Sequence, residues 1–422
     1  MKKPVIHSIK GVKDILPDEM ARWDVIESAA RRLAKIYGFS EIRVPIFEVT
    51  ELFARSIGTS TDIVEKEMYT FADRDGKLLT LRPEATAGVV RAYIEHNLAN
   101  TSALQKFFYL GAMFRHERPQ AGRLRQFHQF GVESFGSALP QADVEVIALL
   151  WRFLTELDLP GLLLEVNSLG DSTDRASYRG VLSDFLKGRA DHLCDNCRRR
   201  MATNPLRVLD CKVAACAAVL SEAPSIGDYL APASRRHFEE VLEGLRALEI
   251  PYTVNPRLVR GLDYYTLTAF EVSSSHLGAQ NAVGAGGRYD GLVEALGGPA
   301  MPAVGFATGL ERIALMLPDS RLAVTGRSVF IAAFGKRGLA EGMRVLDQLR
   351  RHGIPSDTDY RATNLKNLLR QADRLGSQYV LILGDDEVAK GQVVLRNMTT
   401  KEQQVLPLSA IANSLATRLK TS

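Results

Sequence analysis

No run of roughly eighteen apolar residues occurs anywhere in the 422-residue sequence, so no segment reads as a membrane-spanning helix. The opening Met1-Lys2-Lys3-Pro4 lacks the apolar stretch and small-residue cleavage site of a secretory signal. A soluble, cytoplasmic protein with no membrane partner is therefore expected. Internal repeats and low-complexity tracts are missing too, which excludes solenoid architectures and biased linkers. A large charge excess is also lacking: the net charge of +4 is too small to argue nucleic-acid binding by itself. Distribution matters more than the sum. Arg115, Arg118, Arg123 and Arg125 crowd one short segment and Arg198, Arg199 and Arg200 another, although an arbitrary arginine cluster reads first as solvated surface.

Cysteine is scarce, but its four residues are not scattered. Cys194 and Cys197 form C-x2-C, Cys211 and Cys216 form C-x4-C, and thirteen residues separate the pairs. That spacing suits tetrahedral zinc, and a cytoplasmic compartment argues against disulfides. The reading adopted is nonetheless that these are unmetallated thiols of a small module, with structural zinc as the alternative and no metal ligand assigned.

What is present is ordinary globular composition, 46% hydrophobic and 24% charged, enough for two or three cores. Trp23, Ile26, Ala30, Leu33 and Ile36 recur at helical spacing and predict an amphipathic helix over 20–37, with Pro17 and Asp18 as start signals and Gly38 as the stop. A short strand through Ile42 and Val44 ends at Pro45. Segments 106–114 and 126–135 read as a long hairpin around an arginine-rich turn. Period-2 alternation then puts Phe127, Gln129, Gly131 and Glu133 on one face, and Gly111, Met113 and Arg115 on one face of the partner strand. Glutamine, glycine and glutamate make poor core but a plausible pocket floor. Residues 171–251 read as an inserted helical module. A linker is expected over 318–327, followed by a small α/β domain: strand 329–334, helices 339–352 and 365–375, strands 379–383 and 392–395.

Here the residues meet a family. Phe114-Arg115-His116-Glu117-Arg118-Pro119, continued by Gln126-Phe127-His128-Gln129-Phe130-Gly131, resembles motif 2 of class II aminoacyl-tRNA synthetases in its histidyl form. The unit ending at Pro45 is similar to motif 1, and Gly305-Phe306-Ala307-Thr308-Gly309-Leu310-Glu311-Arg312 to motif 3. Arg260-Gly261-Leu262-Asp263-Tyr264-Tyr265 and Gly284-Ala285-Gly286-Gly287-Arg288-Tyr289-Asp290-Gly291 resemble two signatures peculiar to histidyl-tRNA synthetases. The resemblance runs in order from Gly11 to the C-terminus.

The resemblance implies an α+β fold: a class II catalytic core with a mainly antiparallel sheet flanked by helices (1–325), a helical insertion (171–251) and a C-terminal α/β anticodon-binding domain (326–422). It implies a ligase that joins histidine to ATP as histidyl-adenylate and transfers it to tRNA(His), with Mg2+ accompanying ATP, in a homodimer built across motif 1. Negative charge grows on the α-phosphate during activation, so fixed cations should lower the barrier. By resemblance Arg115 and Arg260 are catalytic, Arg260 standing where other class II enzymes rely on a metal ion. Arg115, Glu117, Phe127 and Arg312 would hold ATP, with Phe127 and Arg312 on opposite faces of adenine. Glu84, Ala85, Thr86, Arg115, Gln129, Glu133, Arg260, Tyr264 and Tyr265 would hold histidine, because an imidazole edge left unpaired costs about 1–3 kcal/mol. Gly284 to Gly287 would let backbone approach the substrate. Arg118, Arg123 and Arg125 would face tRNA, with Arg198 to Arg200 on the acceptor stem. Position 85 departs from the family pattern, carrying alanine where glycine is usual. Two other readings compete: a histidine-sensing regulatory subunit of ATP phosphoribosyltransferase, which generally lacks the anticodon domain, and the pseudo-synthetase domain of a stress-sensing kinase.

Overall fold

A computed structural model describes residues 5–58, 61, 63–260, 262, 264–278, 281–322, 329–361 and 364–420. The chain divides into two units, Met1–Leu322 and Ala323–Ser422.

In chain order the first unit carries β1 (Ser40–Glu41), β2 (Phe47–Val49), β3 (Tyr69–Ala72), β4 (Leu78–Leu81), β5 (Gln105–Phe114), β6 (Gln126–Phe135), β7 (Leu162–Ser168), β8 (Thr253–Val254), β9 (Thr266–Ser274), β10 (Ala282–Arg288) and β11 (Ala303–Gly309). Eight of these form one sheet in the order β1-β5-β6-β11-β10-β9-β7-β8, antiparallel except for the parallel edge pairs β1/β5 and β7/β8. One face is dry. Phe108, Phe130, Val132, Phe270, Val272 and Phe306 pack there against the helices Pro17–Ile36, Pro140–Glu156 and Leu310–Met316. The amphipathic helix starts at Pro17, three residues before the expected point, since proline suits a first turn whose N–H has no partner.

The other face is built for occupancy. Register places Tyr109, Gly131, Ala307, Ala285, Glu271 and Glu165 in one row across six strands. The adjacent row runs through Glu133, Gly305, Gly287, Ala269 and Asn167. Residues directly opposite one another share a face, so two rows of glycine and alanine make a floor with polar side chains at its ends. A Cβ at Gly305 would fall on the Glu133 carboxylate, one at Gly131 on the Tyr109 hydroxyl, and one at Gly287 on the Tyr265 ring.

One expectation needs correction, and two others meet the structure only in part. The strand expected through Ile42 and Val44 lies earlier, at Ser40–Glu41: Ile42 N–H makes the last bond, to the Phe108 carbonyl at 2.9 Å, and the buried Arg82 guanidinium then takes the carbonyls of Val44 and Pro45. The inserted module is narrower as a packed unit than 171–251. Its own core runs from Tyr178 to Leu230, whereas Val241 and Leu245 of the helix Pro232–Ala247 pack into the main core. Of the linker, residues 323–328 lie outside the described residues, and the part before them is held by Arg22, which pairs with Asp319 and donates to the Leu317 carbonyl.

The second unit is a mixed sheet of β12 (Val329–Ala333), β13 (Ser356–Thr358), β14 (Tyr379–Leu383), β15 (Gln392–Asn397) and β16 (Gln403–Pro407), ordered β13-β12-β14-β15-β16. Val329, Ile331 and Leu381 pack on one face with the helices Lys336–Arg351 and Ile411–Lys420, and Phe330, Ala332 and Val380 pack on the other with Leu365–Arg374. Apolar residues on both faces are what a parallel pair covered by helices requires.

Candidate active site

At the β6 end of the floor two carboxylates are buried together. Glu84 precedes the helix Thr86–Glu95 and accepts the backbone N–H groups of Thr86 (2.6 Å) and Ala87 (3.0 Å), closing that helix's first turn. Ala85 sits at φ −106°, where an L side chain is unstrained, so alanine replaces the family's glycine without backbone cost. The Thr86 hydroxyl donates to Glu133 at 2.6 Å, and the Tyr289 hydroxyl donates to the other Glu133 oxygen. Burial pushes the Glu133 carboxyl up to about 8, against the partial relief those hydroxyls give. Tyr264 stands 4.7 Å from Tyr265 and 5.5 Å from Tyr289, centroid to centroid, forming an aromatic wall beside the carboxylates. The buried Gln129 Oε1 has no partner among the described residues, while the Tyr109 hydroxyl lies within reach of Thr86 and Glu133.

In the cavity between β9 and the β5–β6 turn the charges are reversed. Arg260 pairs with Glu271, and Arg123 pairs with the buried Glu117. Arg115 donates to the Pro83 carbonyl at 2.8 Å and lies 5.2 Å over the Phe127 ring. Arg312 donates to the Ala282 carbonyl, while burial and the like charge of Arg123 weaken its hold on its proton. Arg115, Arg123, Arg260, Glu117 and Glu271 line one cavity of about 660 Å3, whose far wall brings Arg200, Arg207 and Lys212 from the inserted module.

Over residues 11–313 the chain matches the histidyl-tRNA synthetase family model. The chain belongs to the histidyl-tRNA synthetase family. Residues 328–418 match an anticodon binding domain model, the part that the sensor reading would have lacked. Curated relatives named histidine–tRNA ligase are 50% identical over 98% of this chain and 99% of the protein from Desulfatibacillum aliphaticivorans, and 48% identical over 97% and 98% in Syntrophotalea carbinolica. The apo histidyl-tRNA synthetase from S. aureus superposes with a TM-score of 0.82 at 37% identity, covering 97% of this chain and all of that one.

Set against the family motifs, the structure brings Glu84, Ala85, Thr86, Gln129, Glu133, Tyr264 and Tyr265 into one neighbourhood, and Arg115, Glu117 and Arg260 onto one cavity. Gly261 and Asp263 of the Arg260 motif lie outside the described residues. Arg118 is exposed. Arg125 donates to the carbonyls of Lys10 (3.2 Å) and Glu117 (3.4 Å). Phe127 carries Arg115 above one face of its ring. The glycines 284 to 287 serve protein packing as well: a Cβ at Gly286 would strike Phe270 and the Gly305 carbonyl.

Sequence reasoning missed four residues. Tyr289 is hydrogen-bonded to Glu133. Arg288, wholly buried, pairs with Asp143 at 2.7 Å and Asp290 at 3.1 Å, while Asp143 also meets His237 and Thr268. Glu271 neutralises Arg260. Glu271, the lone acid of the apolar strand Thr266–Ser274, and Asp143, in the first turn of the largely apolar helix Pro140–Glu156, were the available signals, since a buried charge demands a partner.

Proposed function

We propose that the protein is a histidine–tRNA ligase whose two reactions run across the open sheet face. The observation that carries this is the division of one floor between a buried carboxylate pocket, Glu133 with Thr86 and Tyr289, and a cavity into which Arg115 and Arg260 both project.

Histidine enters with its imidazole between Glu133 and Tyr264, beside Tyr265, and its ammonium toward Glu84, Thr86 and the unpartnered Gln129 Oε1. Its carboxylate then points along the floor to Arg115 and Arg260. ATP, brought with Mg2+, occupies the arginine-lined cavity with Glu117, Phe127 and Arg312. A carboxylate oxygen attacks the α-phosphorus, pyrophosphate leaves, and the fixed guanidinium groups stabilise the charge of the pentavalent state. In the second step a terminal ribose hydroxyl of tRNA(His) attacks the acyl carbon, AMP leaves, and the adenylate phosphate takes the hydroxyl proton.

Domain roles follow the same reading. Residues 1–325 are the catalytic part with its insertion, and 326–422 read the anticodon of tRNA(His), where unstacked loop bases offer shape and edges. Arg118 is the exposed member of the turn that would meet the acceptor end, with Arg123 and Arg125 holding that turn in shape. Phe47 and Phe71 are exposed on one face of the small sheet β2-β4-β3, apolar surface next to motif 1 that supports a homodimer. Among the described residues no helix is long and apolar enough to cross a membrane.

Histidine-dependent ATP–pyrophosphate exchange is the direct test, with tRNA charging beside it. Histidine binding without exchange would favour the sensor instead. Removing residues 323–422 is expected to leave exchange and abolish charging; equal loss of both would join the tail to the catalytic unit.

A further inference from the structure

The four cysteines of the inserted module take no part in the chemistry above. Cys194 immediately precedes the short helix Asp195–Thr203 and Cys197 lies in its first turn. Cys211 follows the turn Pro205–Asp210, and Cys216 lies in the helix Ala214–Leu220. Two helices and a loop thereby deliver four sulfurs to one point: all lie within 4.8 Å of one another, with Cys194 and Cys211 at 3.9 Å. A Zn–S bond of about 2.3 Å sets the sulfur–sulfur edge of a tetrahedron at about 3.8 Å. A disulfide would need sulfurs about 2.05 Å apart and would join them two by two. All four are free thiols grouped as a single cage.

Two further observations point to an ion. The Cys194 N–H donates to Cys216 Sγ at 3.2 Å, the kind of outer bond that orients a ligating thiolate. The module's own core is also small: eleven buried side chains, of which Cys197 and Cys216 are two. A core of that size is normally stapled by a disulfide or a metal.

We propose that Cys194, Cys197, Cys211 and Cys216 bind one structural Zn2+ as four thiolates, reversing the sequence-based preference for unmetallated thiols. Each thiol releases its proton to solvent on binding, and no fourth position stays open for water, so the ion is structural. Its effect reaches the active site through the chain: Leu209, Asp210, Cys211 and Lys212 line the same cavity as Arg115 and Arg260. The ion would fix that wall without touching substrate.

Elemental analysis of the full-length protein, purified from zinc-supplemented culture without chelator, is expected to give one zinc per chain. Substituted Co2+ should show thiolate-to-metal charge transfer and the intense d–d bands of a tetrahedral sulfur site. The pair Cys197→Ser and Cys216→Ser should lose the ion, together with amide-exchange protection across 194–216. Zinc below about a tenth of an equivalent in the unaltered protein, zinc retained by the double variant, or two disulfides mapped under non-reducing conditions would each overturn the proposal. Should the double variant not fold, the cobalt spectrum of the unaltered chain decides alone: weak octahedral bands without charge transfer reject the site.

Discussion

Around Glu133 the floor of the sheet buries carboxylates and surrounds them with neutral donors, whereas around Arg260 it holds arginines and gives them carboxylate partners. Both arrangements avoid an isolated buried charge, by different routes. The acidic end does so by keeping its proton, since burial raises Glu133. The basic end cannot, because guanidinium does not deprotonate, so Glu271 and Glu117 neutralise it in place. The difference separates two tasks. A protonation-sensitive, hydrogen-bonded pocket discriminates among ligands, while a permanent paired cation supplies a field at the moment charge develops.

The largest effect should come from the basic end. Arg260→His is expected to slow single-turnover adenylate formation by about 10²–10³ with little change in KM and a near-normal melting temperature. Lysine should rescue only in part, lacking the planar fork that bridges two oxygens. Normal single-turnover rates, or a large fall in stability, would mean that Arg260 only braces Glu271, and the comparison would break at that end. Next comes the acidic end: Glu133→Ala should raise the histidine KM by about 10–100-fold, the equivalent of 1–3 kcal/mol for an unpaired polar edge, and leave ATP affinity intact. A fall in ATP affinity with unchanged histidine affinity would show the two ends to be wrongly divided. Gly305→Ala should raise the histidine KM less but lower the melting temperature with it, since its methyl meets the Val132 carbonyl as well as the Glu133 carboxylate.

Much of this division was legible beforehand, for reasons that differ along the chain. Alternation in 126–135 put Gln129, Gly131 and Glu133 on one face, and the register shows that face to be the floor. The amphipathic helix and the strand Tyr379–Leu383 were equally plain, because hydrophobic period survives in a single sequence. The end of the first strand was misread because what takes the Val44 carbonyl is a side chain, Arg82, thirty-eight residues away. Tyr289 and Glu271 were missed because their partners, Glu133 and Arg260, are brought to them only by the strand order β6-β11-β10-β9, which no local pattern contains.

The smallest effect asks whether the proton at the acidic end is real. Glu133 holds its proton up to about 8 in the folded chain, against a value of 4.5 when unburied. The folded state therefore binds that proton more tightly than the unfolded state, so its stabilising contribution is full below 4.5 and drains away as pH rises toward 8. Glu133→Gln cannot undergo that loss and retains an acceptor for Thr86. The melting temperature of the variant minus that of the parent should climb between about pH 5 and 8 and then level off. Glu84 is present in both proteins, so its own upward shift largely cancels in the difference. Arg260→Gln, compared in the same way, should give a flat difference across that window, because neither guanidinium nor amide titrates there. A flat line for Glu133→Gln as well would mean that the carboxylate is charged when buried, with Thr86 and Tyr289 enough to hold it. The two ends would then differ only in sign.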